Sequence, residues 1–179
     1  MTTATASLSR SRLRARLVLA ALSACGLAAL AWAALVQPLP RLVYNPSDSV
    51  PVGWYRVGPL DHGASSQPRP LSVGSIVLTR LPADAAALAA QRGYLPARIP
   101  LLKRVGAVAP QHVCIFDALV WIDGVPVAAV LAADRLGRTL PSWPQCRRLG
   151  PGELFLLSVT NPASFDSRYF GPVSAAAVI

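Results

Sequence analysis

Lysine is nearly absent from this 179-residue chain: of its 17 basic residues, only Lys103 is not an arginine. Acids are scarce as well, 8 in all, so the formal net charge is +9. Histidine occurs twice, as His62 and His112, in polar or proline-flanked stretches that read as surface turns. That leaves a Ser-His-Asp triad with weak support. No internal repeat recurs at a period of about 20 to 50 residues, which excludes a solenoid. The basic residues are rarely adjacent and never alternate with an aromatic platform, so the positive charge is not a nucleic-acid footprint. No metal or cofactor is expected, and no nucleic-acid partner.

Charge is missing altogether from Leu17 to Val36, LVLAALSACGLAALAWAALV. About twenty residues at ~1.5 Å rise span ~30 Å, the thickness of a bilayer core. Arg10, Arg12, Arg14 and Arg16 precede this run with no acid among them, so the positive-inside rule keeps residues 1–16 in the cytoplasm. Residues 17–36 then form a transmembrane signal anchor in the bacterial inner membrane, and 37–179 a single periplasmic domain. Ala31, Trp32 and Ala33 also form an A-x-A-like cleavage site, the mark of a removable signal peptide. The apolar run exceeds the roughly 7 to 15 residues of a signal-peptide core, and a retained anchor is the expectation.

Cysteine is limited to three residues. Cys25 lies within the apolar span, where a small buried thiol needs no role. Cys114 and Cys146 fall on the oxidising side and are expected to form a disulfide, closing a loop of roughly 33 residues worth ~4 kcal/mol in the chain-entropy model.

Seventeen prolines and 12 glycines punctuate the rest. Short runs rich in apolar and β-branched residues, SIVLTRL, LLKRVGAVA, VCIF and ELFLLSV, read as strands. In ALVWIDGVPVA, Asp123 and Gly124 supply the positive φ angles of a tight hairpin turn. PADAAALAAQRG reads as a helix entered at Pro82 and stopped by Gly93. DHGASSQPRP, residues 61–70, has loop composition, and QPLP after the span is a stiff spacer. The fold class is mainly β: one β domain with one short helix, preceded by a single transmembrane helix.

The stretch RLVYNPSDSVPVGWYRV follows within a few residues of the span. Its hydroxyls Ser47 and Ser49 are held between Pro46 and Pro51. By itself NPSDS is an Asn-Pro turn with solvent-facing serines. A serine nucleophile requires a base that can lose its proton near working pH, which arginine cannot do. Lysine begins near 10.4 and is neutral in only ~0.04% of molecules at pH 7, so an apolar site must lower its pKa by about three units. In an alternating strand Leu101 and Lys103 share one face while Leu102 and Arg104 share the other, which places the amine among apolar neighbours. Near the C-terminus, ASFDSRYFGP sets Ser164, Asp166 and Arg168 among aromatic residues, either as an ion-paired turn or as a shell supporting an amine.

Three blocks, NPSDSVPVGWY, LLKRV and SFDSRYFGP, together resemble the signal peptidase family of Ser-Lys serine peptidases, and specifically its TraF-type conjugative transfer branch. The resemblance implies a signal-peptidase-like β domain with Ser49 as nucleophile and Lys103 as general base. It also implies Ser47 in the oxyanion hole, Ser164 bonded to the lysine, and Asp166 and Arg168 in support, with Asp166 either a third catalytic member or structural. Val50 follows the nucleophile where the housekeeping enzymes place methionine. SVTNP, residues 158–162, replaces their Gly-Asp-Asn-Arg-Asp lead-in. The implied activity is cleavage of a propilin or related conjugative precursor, with small residues before the cut, at the periplasmic face. The other readings are a general signal peptidase for exported proteins and a non-catalytic docking subunit of a transfer machine.

Overall fold

A computed structural model describes residues 4–35, 42–58 and 71–179 of the protein. The chain divides into two units, Met1–Leu39 and Pro40–Ile179. In the first, helix α1 (Ala4–Leu35) contains a stretch, Arg12–Ala33, long and apolar enough to cross a membrane. The 37–40 spacer, the 61–70 loop and His62 lie outside the described residues.

The second unit is mainly β. Strands β1 (Leu42–Asn45) and β2 (Gly53–Arg56) form an antiparallel hairpin, with Asn45 opposite Gly53. Next come β3 (Ile76–Thr79), helix α2 (Ala83–Gln91), β4 (Leu101–Val108), β5 (His112–Phe116), β6 (Leu119–Ile122) and β7 (Val125–Ala129). The chain closes with β8 (Cys146–Arg148), β9 (Glu153–Leu156), helix α3 (Ser167–Phe170), β10 (Val173–Ser174) and a 3-10 turn at Ala175–Ala177. Two four-stranded sheets result, ordered β10-β9-β4-β3 and β7-β6-β5-β8.

Sequence explains several of these elements directly. Helix α2 runs through the alanine-rich segment with Pro82 at its N-cap, where a missing N–H costs nothing, and Gly93 beyond its end takes φ +73°. Asp123 and Gly124, at φ 50° and 81°, join β6 to β7 in the two-residue turn that their residue types favour. A second tight turn joins β5 to β6 through Asp117 and Ala118, both at positive φ. His112 opens strand β5 rather than sitting in a surface turn, because its backbone pairs with Arg148 of β8. The unexpected addition is α3, a single turn capped by the Asp166 side chain and too short to show a helical period.

Strand β9 explains the apolar run Leu154–Leu156, since both its faces are covered. Leu154 and Leu156 enter one core with Val77, Leu101, Val105 and Val173. Phe155 enters a second with Ala107, Val113, Val120, Trp143 and Leu149. Strand β4 serves both cores because its register against β9 shifts between Val105 and Ala107. The residue at the shift is Gly106, where a Cβ would fall 2.7 Å from the Leu157 Cβ. Before that irregularity β4 alternates strictly, burying Leu101, Lys103 and Val105 while Leu102 and Arg104 stay partly exposed.

Candidate active site

The loop of the β1-β2 hairpin, residues 46–52, carries both serines and is organised by one side chain. Asn45 is buried at the end of β1, and its amide donates to the carbonyls of Ser47 at 2.6 Å, Val50 at 2.9 Å and Pro51 at 3.2 Å. Its Oδ1 accepts from the Ser47 N–H at 3.2 Å and the Ser47 hydroxyl at 2.9 Å. Ser47 Oγ and Ser49 Oγ lie 3.0 Å apart. A hydroxyl has one hydrogen, so with the Ser47 proton on Asn45 the Ser49 hydroxyl is the donor between the serines. Ser49 is only 7% exposed.

Lys103 reaches this loop from β4. It is 4% exposed, and its Nζ donates to Ser164 Oγ, which is also buried. Burial pushes the amine down from the ordinary 10.5 to about 8, assisted by the nearby Arg168 cation and opposed by the charges of Asp166 and Asp48. Ser49 and Lys103 line one cleft of about 770 Å³ whose walls include Leu95, Ile99, Leu102 and Leu140. The two side chains share that cleft without a direct hydrogen bond; each holds a serine hydroxyl instead.

Behind the lysine stands a fully buried ion pair. Arg168 Nε donates to Asp166 Oδ1 at 2.8 Å and its Nη2 to Oδ2 at 2.9 Å. The same guanidinium holds the carbonyls of Ala129 at 2.7 Å, Ser164 at 3.0 Å and Asn161 at 3.2 Å. Asp166 also accepts from the Ser158 N–H at 3.0 Å, and it reaches Lys103 through charge rather than through a hydrogen bond. Beside Ser164, Phe165 stacks on Tyr169 and packs against Tyr94 and Phe170, bracing the segment that carries the lysine's partner. Asn161 and Thr160 tie this segment to the 46–52 loop, since the Asn161 amide donates to Asp48 Oδ1 and the Thr160 hydroxyl donates to the Asp48 carbonyl at 3.3 Å.

Comparison with known proteins gives the family of the chain. The family model for signal peptidase, peptidase S26, matches residues 14–179. The chain belongs to the S26 signal peptidase family. It is 34% identical over 146 residues to a plasmid transfer protein TraF of Escherichia coli, covering 75% of this chain and 77% of that one. A conjugal transfer protein TraF of Agrobacterium tumefaciens (strain 15955) is 36% identical over 142 residues, covering 74% of each chain. A probable conjugal transfer protein TraF of Sinorhizobium fredii (strain NBRC 101917 / NGR234) is 35% identical over 142 residues, 75% of this chain and 71% of its own. A signal peptidase I from Enterococcus faecalis V583 aligns structurally over 60% of this chain and 96% of its own, at 21% identity and a TM-score of 0.33.

In this S26 signal peptidase the residues singled out from sequence fall into one connected group, with one exception. Ser47, Ser49, Lys103 and Ser164 line the cleft, and Asp166 and Arg168 lie directly behind it. Cys114 and Cys146 stand opposite each other on the β5-β8 ladder, joined by a disulfide, with the His112 ring nearby and outside the cleft. Sequence reasoning missed Asn45, Asp48 and Asn161. For Asn45 a signal existed, since an Asn two residues before a Ser in an Asn-Pro turn is placed to bond its own loop. Asn161 and Asp48 are 113 residues apart and carry no local signature.

Proposed function

We propose that this protein is a membrane-anchored Ser-Lys endopeptidase that cleaves a propilin or related precursor of a conjugative transfer system at the periplasmic face of the inner membrane. The observation that carries this reading is the chain's single lysine, buried in a cleft it shares with Ser49 and lowered to about 8. The substrate class rests on likeness to the TraF conjugal transfer proteins.

Neutral Lys103 accepts the Ser49 proton as Ser49 Oγ bonds to the scissile carbonyl carbon. The resulting oxyanion is held by the Ser49 N–H and by the Ser47 hydroxyl, whose hydrogen turns from Asn45 Oδ1 toward it. When the C–N bond breaks, the proton on Lys103 passes to the departing amine and leaves an acyl-enzyme on Ser49. Water then attacks that ester, giving a proton to Lys103, and as the ester C–O bond breaks Lys103 returns that proton to Ser49 Oγ and the acid product leaves. Asp166 and Arg168 take no proton in this scheme; they hold the backbone carrying Ser164 and set the charge around the amine.

The pH profile tests the proton acceptor. Only the neutral amine works, so below its pKa the active fraction falls tenfold per pH unit. For an internally quenched peptide with alanine at the first and third positions before the cut, log kcat/KM is expected to rise with unit slope to about pH 8 and then level. Ser49→Ala serves as the blank. A profile flat from about pH 6 to 9, or full activity in Ser49→Ala, would exclude the dyad.

A further inference from the structure

Ser49 lies on the wall between two cavities. Beyond the large cleft is a second space of about 320 Å³, lined by Val50, Val52, Leu157, Val159 and Arg104 among others. Asp48 and Ser49 line both. The bonds that Asp48 accepts from Thr160 and Asn161 keep this wall in place. Resting on the peptidase reading above, we propose that the smaller cavity receives the residues that follow the scissile bond, and that Arg104 selects a carboxylate there beside an aliphatic residue.

Geometry supplies the first reason. An extended peptide with its scissile carbonyl at Ser49 sends its two ends to opposite sides of the nucleophile, advancing ~3.3 Å per residue. The acyl half stays covalently attached while the amine half departs, so the larger cleft suits the half that is retained. The 320 Å³ space suits the one or two residues that must leave first.

Chemistry supplies the second. Arg104 neighbours Lys103 on β4, and strand alternation turns it to the opposite face. Its Nη1 donates to the Gly74 carbonyl at 2.9 Å, which fixes the guanidinium, and among the described residues no carboxylate pairs with it. Around it the walls are aliphatic, and Val52 and Val159 remain 59% and 61% exposed, surface that a bound residue would cover. The one acid in the lining, Asp48, already accepts from Asn161. A fixed cation against aliphatic walls recognises an acidic, partly apolar segment.

The full-length protein in detergent micelles would be assayed on quenched peptides carrying valine directly after the cut and either glutamate or lysine next. The expected result is a kcat/KM ratio favouring glutamate by about tenfold in the wild type. Arg104→Gln, which can still donate to Gly74, brings that ratio near one, and Arg104→Glu inverts it. The preference for alanine over valine before the cut is measured in parallel and is expected to hold. An unchanged glutamate-to-lysine ratio in both variants overturns the subsite, as does a change confined to the preference before the cut. If the wild type cleaves none of the peptides and Ser49 resists a fluorophosphonate, the peptidase reading itself falls and the subsite falls with it.

Discussion

Lys103→Arg is expected to lower kcat/KM by about 10⁴-fold at pH 7, although the substitution keeps the positive charge. A lysine held at about 8 is neutral in about a tenth of molecules at that pH. An arginine above ~12 is neutral in about one in 10⁵ at most. The ratio of those fractions sets the loss, before any further cost from the bulkier guanidinium in a site 4% exposed. Cleavage of the quenched alanine peptide by full-length protein in micelles is the measurement. If Lys103→Arg retained more than about a tenth of wild-type activity, the lysine could not be the base.

The same residue links catalysis to stability with a definite sign. A group whose folded pKa is depressed binds fewer protons in the native state than in the unfolded one, here between about 8 and the ordinary 10.5. In that window the unfolded chain carries the extra proton, so the stability owed to this group rises with pH. It is lost as pH falls through about 8. At pH 7 the fold therefore bears the cost of a buried charge, ~3 kcal/mol for a shift of this size. Lys103→Met removes that cost and gives up one hydrogen bond to Ser164, worth ~1 kcal/mol. The net expectation is an inactive protein about 2 kcal/mol more stable than wild type at pH 7, with the gain shrinking toward pH 10. Urea titrations of both proteins at the two pH values test this, and a gain that grew with pH would contradict it.

How far the site can be read from sequence depends on how local each cause is. Lys103 stands out by composition, and its burial follows from strand alternation across Leu101, Lys103 and Val105. The Asp123-Gly124 turn and helix α2 are equally local, being set by residues with the required φ or helix propensity. Ala118 at φ 56° is not readable this way, because alanine is no turn signal and the β5-β6 pairing imposes the angle. Nor is the face switch at Gly106, which exists only once Leu157, just past the end of β9, packs against it. The Asn161–Asp48 bond depends on two loops brought together by the whole sheet. Individual cleft side chains such as Lys103 and Ser49 could thus be singled out in the chain, while the network that holds them required the fold.

Arg168→Lys is expected to cost stability where Lys103→Arg costs chemistry, for the opposite reason. Arg168 is fully buried and makes five side-chain hydrogen bonds: two to Asp166 and one each to the carbonyls of Ala129, Asn161 and Ser164. Lysine keeps the charge but offers three donors from one point, where guanidinium offers five in a planar fork. At least two buried acceptors lose their partner, at ~1 to 3 kcal/mol each, so the expected loss is about 3 kcal/mol, read by urea denaturation of the full chain in micelles. Arg168→Met, which leaves Asp166 as a buried unpaired charge, is expected to cost about 4 kcal/mol. On the peptidase reading the position also bears on activity, because the carbonyls it holds belong to Ser164, the partner of Lys103, and to Asn161, the partner of Asp48 beside Ser49. Loosening them should lower kcat more than it raises KM. Wild-type stability in Arg168→Lys would show that charge alone suffices there. On the proposed Ser-Lys reading the side chain at position 103 must be able to become neutral, whereas at 168 a fork of donors must stay in place, and that difference accounts for lysine at one and arginine at the other.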